Sequence, residues 1–208
     1  MKKIPKTSTV VTMTVVLLLM ANLCFCQIKY GLQESLTISN VNIKNNANIK
    51  TSAVFGYALN VHMALKGEDD IGISIEPGFM MKGCIMDHNT NIDNIRVKLG
   101  YLSVPVLMNW YINDHFILSS GTEFGYLLIA RYKNNDGVTN VWSNYNKPEV
   151  SVILGLAYRF IDKVDVALRT SKGLTTSMVE KIIGTNENSY TSKSYNRYPL
   201  QLILRYKL

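Results

Sequence analysis

The side chains of this sequence that could do chemistry are few and scattered. Cys84, Asp87 and His88 form a C-x2-D-H run of ligand-type groups. A zinc site needs three or four converging ligands, and nothing nearby in the sequence completes one, so a solvated loop is the expected setting. His62 could serve a hydrolase as a base beside a serine and a carboxylate. No nucleophile elbow or comparable local signature accompanies it. The glycines are dispersed, not grouped as a phosphate-binding loop. His115 falls in a short turn and needs no role. Two polar segments, 133–148 and 173–196, are the remaining places for binding, and the first carries Trp142 and Tyr145 among amides. Aromatics among Asn and Ser suit an adaptable binding surface, although an ordinary polar loop has the same composition. The expectation is no catalytic residue, no metal and no cofactor.

The elements that must position these groups read as strands. Residues 55–65 place Phe55, Tyr57, Leu59, Val61, Met63 and Leu65 on one face and Gly56, Ala58, Asn60, His62 and Ala64 on the other. That is period two, the signature of a strand with two different faces. The same alternation recurs in 28–38 (spoiled once by Glu34), 71–82, 97–112, 116–132, 150–160, 164–172 and 197–208, which makes eight segments. Most are long enough for the roughly 9–11 residues that a tilted strand needs to cross a bilayer. The links at 66–70, 113–115 and 161–163 are tight, while 39–53, 84–96, 133–148 and 173–196 are long and polar. A barrel with periplasmic turns and outer loops alternates in this way. The fold class expected is all-β: an eight-stranded antiparallel up-and-down transmembrane β-barrel.

Alternation alone does not say which face meets lipid, because a soluble lipocalin-like barrel turns its apolar face inward. The polar face decides it. Small residues there are mixed with His62, Glu76, Lys82, Glu123, Arg131, Arg159, Asp165, Arg169 and Arg205. Only a narrow interior requires so many small residues, and both charge signs let its ions pair. The apolar face carries bulky aliphatics, with aromatics near strand ends, the composition of interfacial girdles. Charged side chains should plug so narrow a barrel, which argues against a pore.

At the N-terminus, Lys2, Lys3 and Lys6 precede the apolar run Val10–Met20, and Cys24-Phe25-Cys26 offers small residues at −3 and −1 of a cleavage site before Gln27. The expected organisation is a signal peptide, 1–26, and a barrel domain, 27–208. Lipidation requires a small residue just before the modified Cys, and Leu23 and Phe25 stand there. A retained anchor is the other alternative, the uncharged stretch being about long enough to span a bilayer. Cleavage lowers the formal charge from +7 to +4 and leaves Cys84 as the one cysteine of three. The remaining charge is too diffuse for nucleic acid, and there is no disulfide framework.

Strands 3 and 4 carry a resemblance. Residues 73–83, ISIEPGFMMKG, followed by 101–107, YLSVPVL, resemble the PorT-type outer-membrane β-barrel family, which pairs an "EPG…KG" strand with a "YLEIPLL" strand. Residues 121–128, 155–160 and 169–174 are similar to its fifth, sixth and seventh strands. Ser103 stands where the family often has Glu, and Asn109 where it often has Lys. If those two pair inside the barrel, both charges are neutralised together here. The resemblance implies a small barrel in the outer membrane, tolerant of Pro77 and Pro105, and no activity. The family's link to protein secretion does not transfer on fold alone. The expected partners are outer-membrane lipid and an envelope protein met through turns or loops, with the barrel itself a monomer. A membrane-embedded lipid hydrolase is the alternative function.

Overall fold

The computed structural model describes residues 28–44, 49–67, 70–88, 95–134, 137–183 and 189–208. The expected signal peptide, 1–26, lies outside the described residues. The strands are β1 (Ile28–Lys44), β2 (Ile49–Ser52), β3 (Val54–Lys66), β4 (Ile71–Ile75), β5 (Gly78–His88), β6 (Ile95–Tyr111), β7 (Phe116–Asn134), β8 (Gly137–Asn140), β9 (Pro148–Ile161), β10 (Val164–Gly173), β11 (Met178–Ile183) and β12 (Ser189–Lys207). Pairing is antiparallel throughout. β1 pairs with β3, β3 with β4 and β5, both of these with β6, then β6 with β7, β7 with β9, β9 with β10 and β10 with β12. β12 returns to β1, so the ring closes on eight walls when β4 and β5 are taken as one interrupted strand. A closed ring leaves no unpaired edge among its walls.

The interruption at Glu76–Pro77 shows how the prolines are accommodated. The ladder with β6 stops at Ile75↔Val106 and resumes at Gly78↔Ser103. Pro105 therefore lies opposite the gap made by Pro77, where a missing N–H costs no ladder bond on that side. Pro199 lies at a register shift of β12 against both β1 and β10.

Side chains sort cleanly by face. Leu59 is 55% exposed and its neighbour Ala58 3%. Leu36, Ile73, Leu102, Phe124, Leu154, Leu168 and Leu202 are exposed, while Ser35, Ser74, Ser103, Glu123, Ser151, Arg169 and Gln201 are buried. The apolar face is outside. A lipocalin-like barrel has the reverse arrangement, so that alternative is overturned.

Two inward–outward assignments made from the alternation are wrong, and for one reason. Gly100 pairs with Ile129 but Tyr101 with Leu127, leaving Leu128 as an extra residue in β7. A single added residue inverts every side chain beyond it. Ala130 is accordingly buried, and Arg131, expected in the interior, is exposed on the outside. The shift at Pro199 does the same to Tyr198, expected on the apolar face and found wholly buried. Ser103 and Asn109 both point inward, but six residues of one strand separate them, roughly 20 Å, so they do not pair with each other.

The turn end is tight. Asn113 Oδ1 accepts from the N–H of His115 at 2.9 Å and of Phe116 at 2.7 Å, an Asx turn. The Leu208 N–H donates to the Tyr30 carbonyl at 2.9 Å, so both described ends of the chain lie at this end. The long connections at the other end are not mere loops. β1, β5, β6, β7 and β12 run on past the apolar belt, and β2, β8 and β11 add to β5, β7 and β12 there.

Candidate functional site

Charged side chains of both signs converge in the interior, which is built in layers. At the turn end, Asp165 on β10 receives Lys207 Nζ at 2.7 Å, with Arg205 at 3.6 Å and Arg159 at 3.7 Å. A cavity of about 270 Å3 opens here, lined by Lys29, His62, Arg159, Asp165, Arg205 and Lys207, and it stops at the next layer.

That layer centres on Glu76, which the break between β4 and β5 holds at 0% exposure. Its carboxylate accepts both nitrogens of the Arg169 fork, at 2.8 and 3.2 Å, and Arg205 Nη2 at 3.0 Å. Gln33 Nε2 donates at 3.1 Å, and His62 Nδ1 lies 3.0 Å away. Gln33 also accepts from Arg205, at 3.0 and 3.1 Å, so the layer ties β1, β3, β10 and β12 together. Charged groups taken from water lose solvation that Coulomb attraction returns only when hydrogen bonds are well made. Glu76 meets that condition, with five bonds.

One layer further, the polarity inverts. Lys82 Nζ donates to Glu123 at 2.7 Å and Glu149 at 2.9 Å, and sits 5.1 and 5.4 Å from the ring centres of Tyr101 and Tyr198. Tyr198 Oη donates to Glu123 at 3.1 Å, and Asn196 donates to Glu149 and to Tyr101 Oη. Above this lies an apolar plug of Val41, Cys84, Met86, Val97, Leu99, Leu127, Ala130, Val141 and Tyr145.

The sequence-derived candidates therefore separate. His62, Glu76, Lys82, Glu123, Asp165, Arg169 and Arg205 are brought into the interior, Arg159 sits part-exposed at its mouth, and Arg131 is outside. Cys84 is not in a loop. It points inward from β5 at 0% exposure, while the side chains of Asp87 and His88 lie outside the described residues. Tyr145, proposed for a loop binding surface, is instead buried against Tyr132 in the plug. Trp142 is 39% exposed, its Nε1 donating to the Leu127 carbonyl and Lys147 lying 3.7 Å over its ring. Gln33, Glu149, Asn196 and Tyr198 were missed. A lone polar residue beside the misplaced Glu34, a carboxylate at a loop boundary, and two residues beyond a bulge carry no signal of their own.

What this arrangement can do is limited. His62 and Glu76 are an imidazole–carboxylate pair, but among the described residues no hydroxyl hydrogen-bonds to His62. Ser74 and Ser119 are both joined to Asn109, at 2.9 and 2.6 Å. Among the described residues no group of three His, Cys, Asp or Glu side chains could hold a metal.

Among solved structures the chain is similar to Neisserial surface protein A, with TM-score 0.55 and 9% identity, covering 86% of this chain and 97% of that one. It is also similar to the attachment invasion locus protein of Yersinia pestis, with TM-score 0.45, 12% identity, and coverage of 86% and 98%. At 9% identity the likeness to Neisserial surface protein A is one of fold alone. Comparison with curated proteins finds no match. Residues 25–179, more than half of the chain, match the family model described as outer membrane protein beta-barrel domain. With its apolar belt outward and its ions paired within, the protein belongs to that family and is a β-barrel of the cell outer membrane.

Proposed function

We propose that this barrel is a sealed, non-catalytic platform: a monomer in outer-membrane lipid that engages an envelope protein through its periplasmic turns or outer loops. The observation that carries the reading is the filled lumen. Three buried cations and four buried carboxylates cross it in three layers, and Tyr145 and its neighbours roof it. An interior so occupied supports neither a solute path nor a substrate pocket through the wall. Within its family we read the chain as PorT-type, on the EPG residues at the break between β4 and β5 and the KG residues of β5, and carry no secretion role across with that reading.

Reconstitution into planar bilayers tests the sealed state. The protein should give no stable conductance steps beyond the lipid baseline. Steady open channels would overturn the reading in favour of a pore. Turnover of a fluorogenic phospholipid that is lost in His62→Ala would overturn it in favour of the hydrolase.

A further inference from the structure

The outward face of β6 and β7 just beyond the apolar belt carries an arrangement that a barrel in neutral surroundings would avoid. Arg96 stands directly across from Lys133, and Lys98 directly across from Arg131. All four are exposed, and none forms an ion pair with a described residue. Like charges directly opposite each other on one sheet face are destabilising. Here two such pairs are stacked, about 5 Å apart across the strands and about 7 Å along them. The Leu128 bulge creates half of the arrangement, because without the extra residue Arg131 and Lys133 would turn inward.

The surroundings narrow the ligand. On β6 the outward residues run Trp110, Met108, Val106, Val104, Leu102 and Gly100 before Lys98. On β7 they end with Phe124, Tyr126 and Leu128 before Arg131. The cations thus begin where the lipid-facing surface ends, at the end carrying the long connections, which in outer-membrane barrels is the outer side. Beside them the β3–β5 ladder runs for only three residues, although Gly56 still lies against the Met81 carbonyl. A groove of about 340 Å3 there is lined by Phe55, Tyr57, Met81 and Ile85 together with the cations Lys82, Arg96 and Lys98. A groove that joins apolar side chains to cations matches an amphiphile whose chain lies against the apolar residues and whose anionic head meets the cations.

We propose that this face binds the phosphorylated headgroup of an outer-leaflet lipid, with Arg96, Lys98, Arg131 and Lys133 holding the phosphate and the β3–β5 groove taking an acyl chain. The proposal does not depend on whether the barrel conducts.

The test is native mass spectrometry of the purified barrel in detergent, titrated with diphosphoryl lipid A and with the same lipid after phosphatase treatment. Wild type should prefer the phosphorylated form, and added sodium chloride should weaken its binding. The variant Lys98→Glu/Lys133→Glu turns both like-charge pairs into opposite-charge pairs, so it should fold at least as well as wild type while binding about tenfold more weakly. A gel shift between unheated and boiled samples reports that fold, and Arg96→Gln/Arg131→Gln serves as a second variant. Equal binding of the two lipids, or unchanged binding by both folded variants, would overturn the proposal. Displacement of the lipid by an equal concentration of inorganic phosphate would overturn the lipid assignment in favour of a free anion.

Discussion

Glu76 joins four walls of the barrel through side chains of which, among the described residues, Arg205 alone reaches another carboxylate, Asp165 at 3.6 Å. Glu76→Gln keeps its shape and removes its charge, leaving Arg169 and Arg205 buried side by side. Taking one partner from a buried charge pair typically costs about 3–5 kcal/mol. Urea unfolding from lipid vesicles should show a loss of that size, and a loss under about 1 kcal/mol would mean that the layer does not hold the interior together. On the outside the balance reverses. Leu59→Arg places a charge against lipid and should cost about 2–4 kcal/mol if the site is near the midplane. Ala58→Ser, one residue away and inward, should be nearly neutral in the same titration. Most of the interior ions were legible as the polar members of alternating strands. Gln33 and Asn196 were not, because an uncharged amide looks the same in a network as in a loop.

Elements were legible where the membrane imposes alternation and illegible where it stops. Residues 39–44 and 95–96 mix polar and apolar side chains without an outward apolar face, and they read as loop. They are nonetheless strand, because the ladder continues on backbone hydrogen bonds after lipid has ceased to select side chains. Parity failed at two places, and each is a single inserted residue. Deleting Leu128 should therefore be drastic: it would turn Arg131 inward toward the apolar plug and Ala130 outward. The expected result is loss of the heat-sensitive gel shift, and a folded deletion variant would mean that the bulge is not fixed by the residues it aims. Crowding gives a milder check on the same walls. A side chain at Gly155 would meet the Leu168 carbonyl at 3.3 Å and the Arg169 stem at 3.6 Å. Gly155→Leu should cost about 1–3 kcal/mol by overpacking, in the same unfolding assay, whereas an empty lumen would absorb it.

For the molecule as a whole, the proposed sealed state closes the lumen twice, by the charged layers and by the plug above them. Either closure should suffice alone. Lys82→Ala and Tyr145→Ser are each expected to leave planar bilayers silent, and their combination to admit measurable current. Conductance from either single variant would show that the two layers are one seal. The eight-walled architecture and its inside-out polarity followed from the sequence because every wall repeats the same rule. The plug did not, because it is assembled from the ends of four strands and a connection, each unremarkable by itself. The seam where β12 meets β1 has a kinetic consequence. Gln33 with Arg205, and Ser35 with Gln201, are among the bonds that join the first strand to the last. No earlier stage of folding can form them, so the chain must bring its most distant segments together before its buried charges are satisfied, a slow step. Reversal must expose those charges to lipid before any wall comes free. The same seam that delays assembly should therefore make the finished barrel long-lived, its persistence set by a barrier rather than by equilibrium stability.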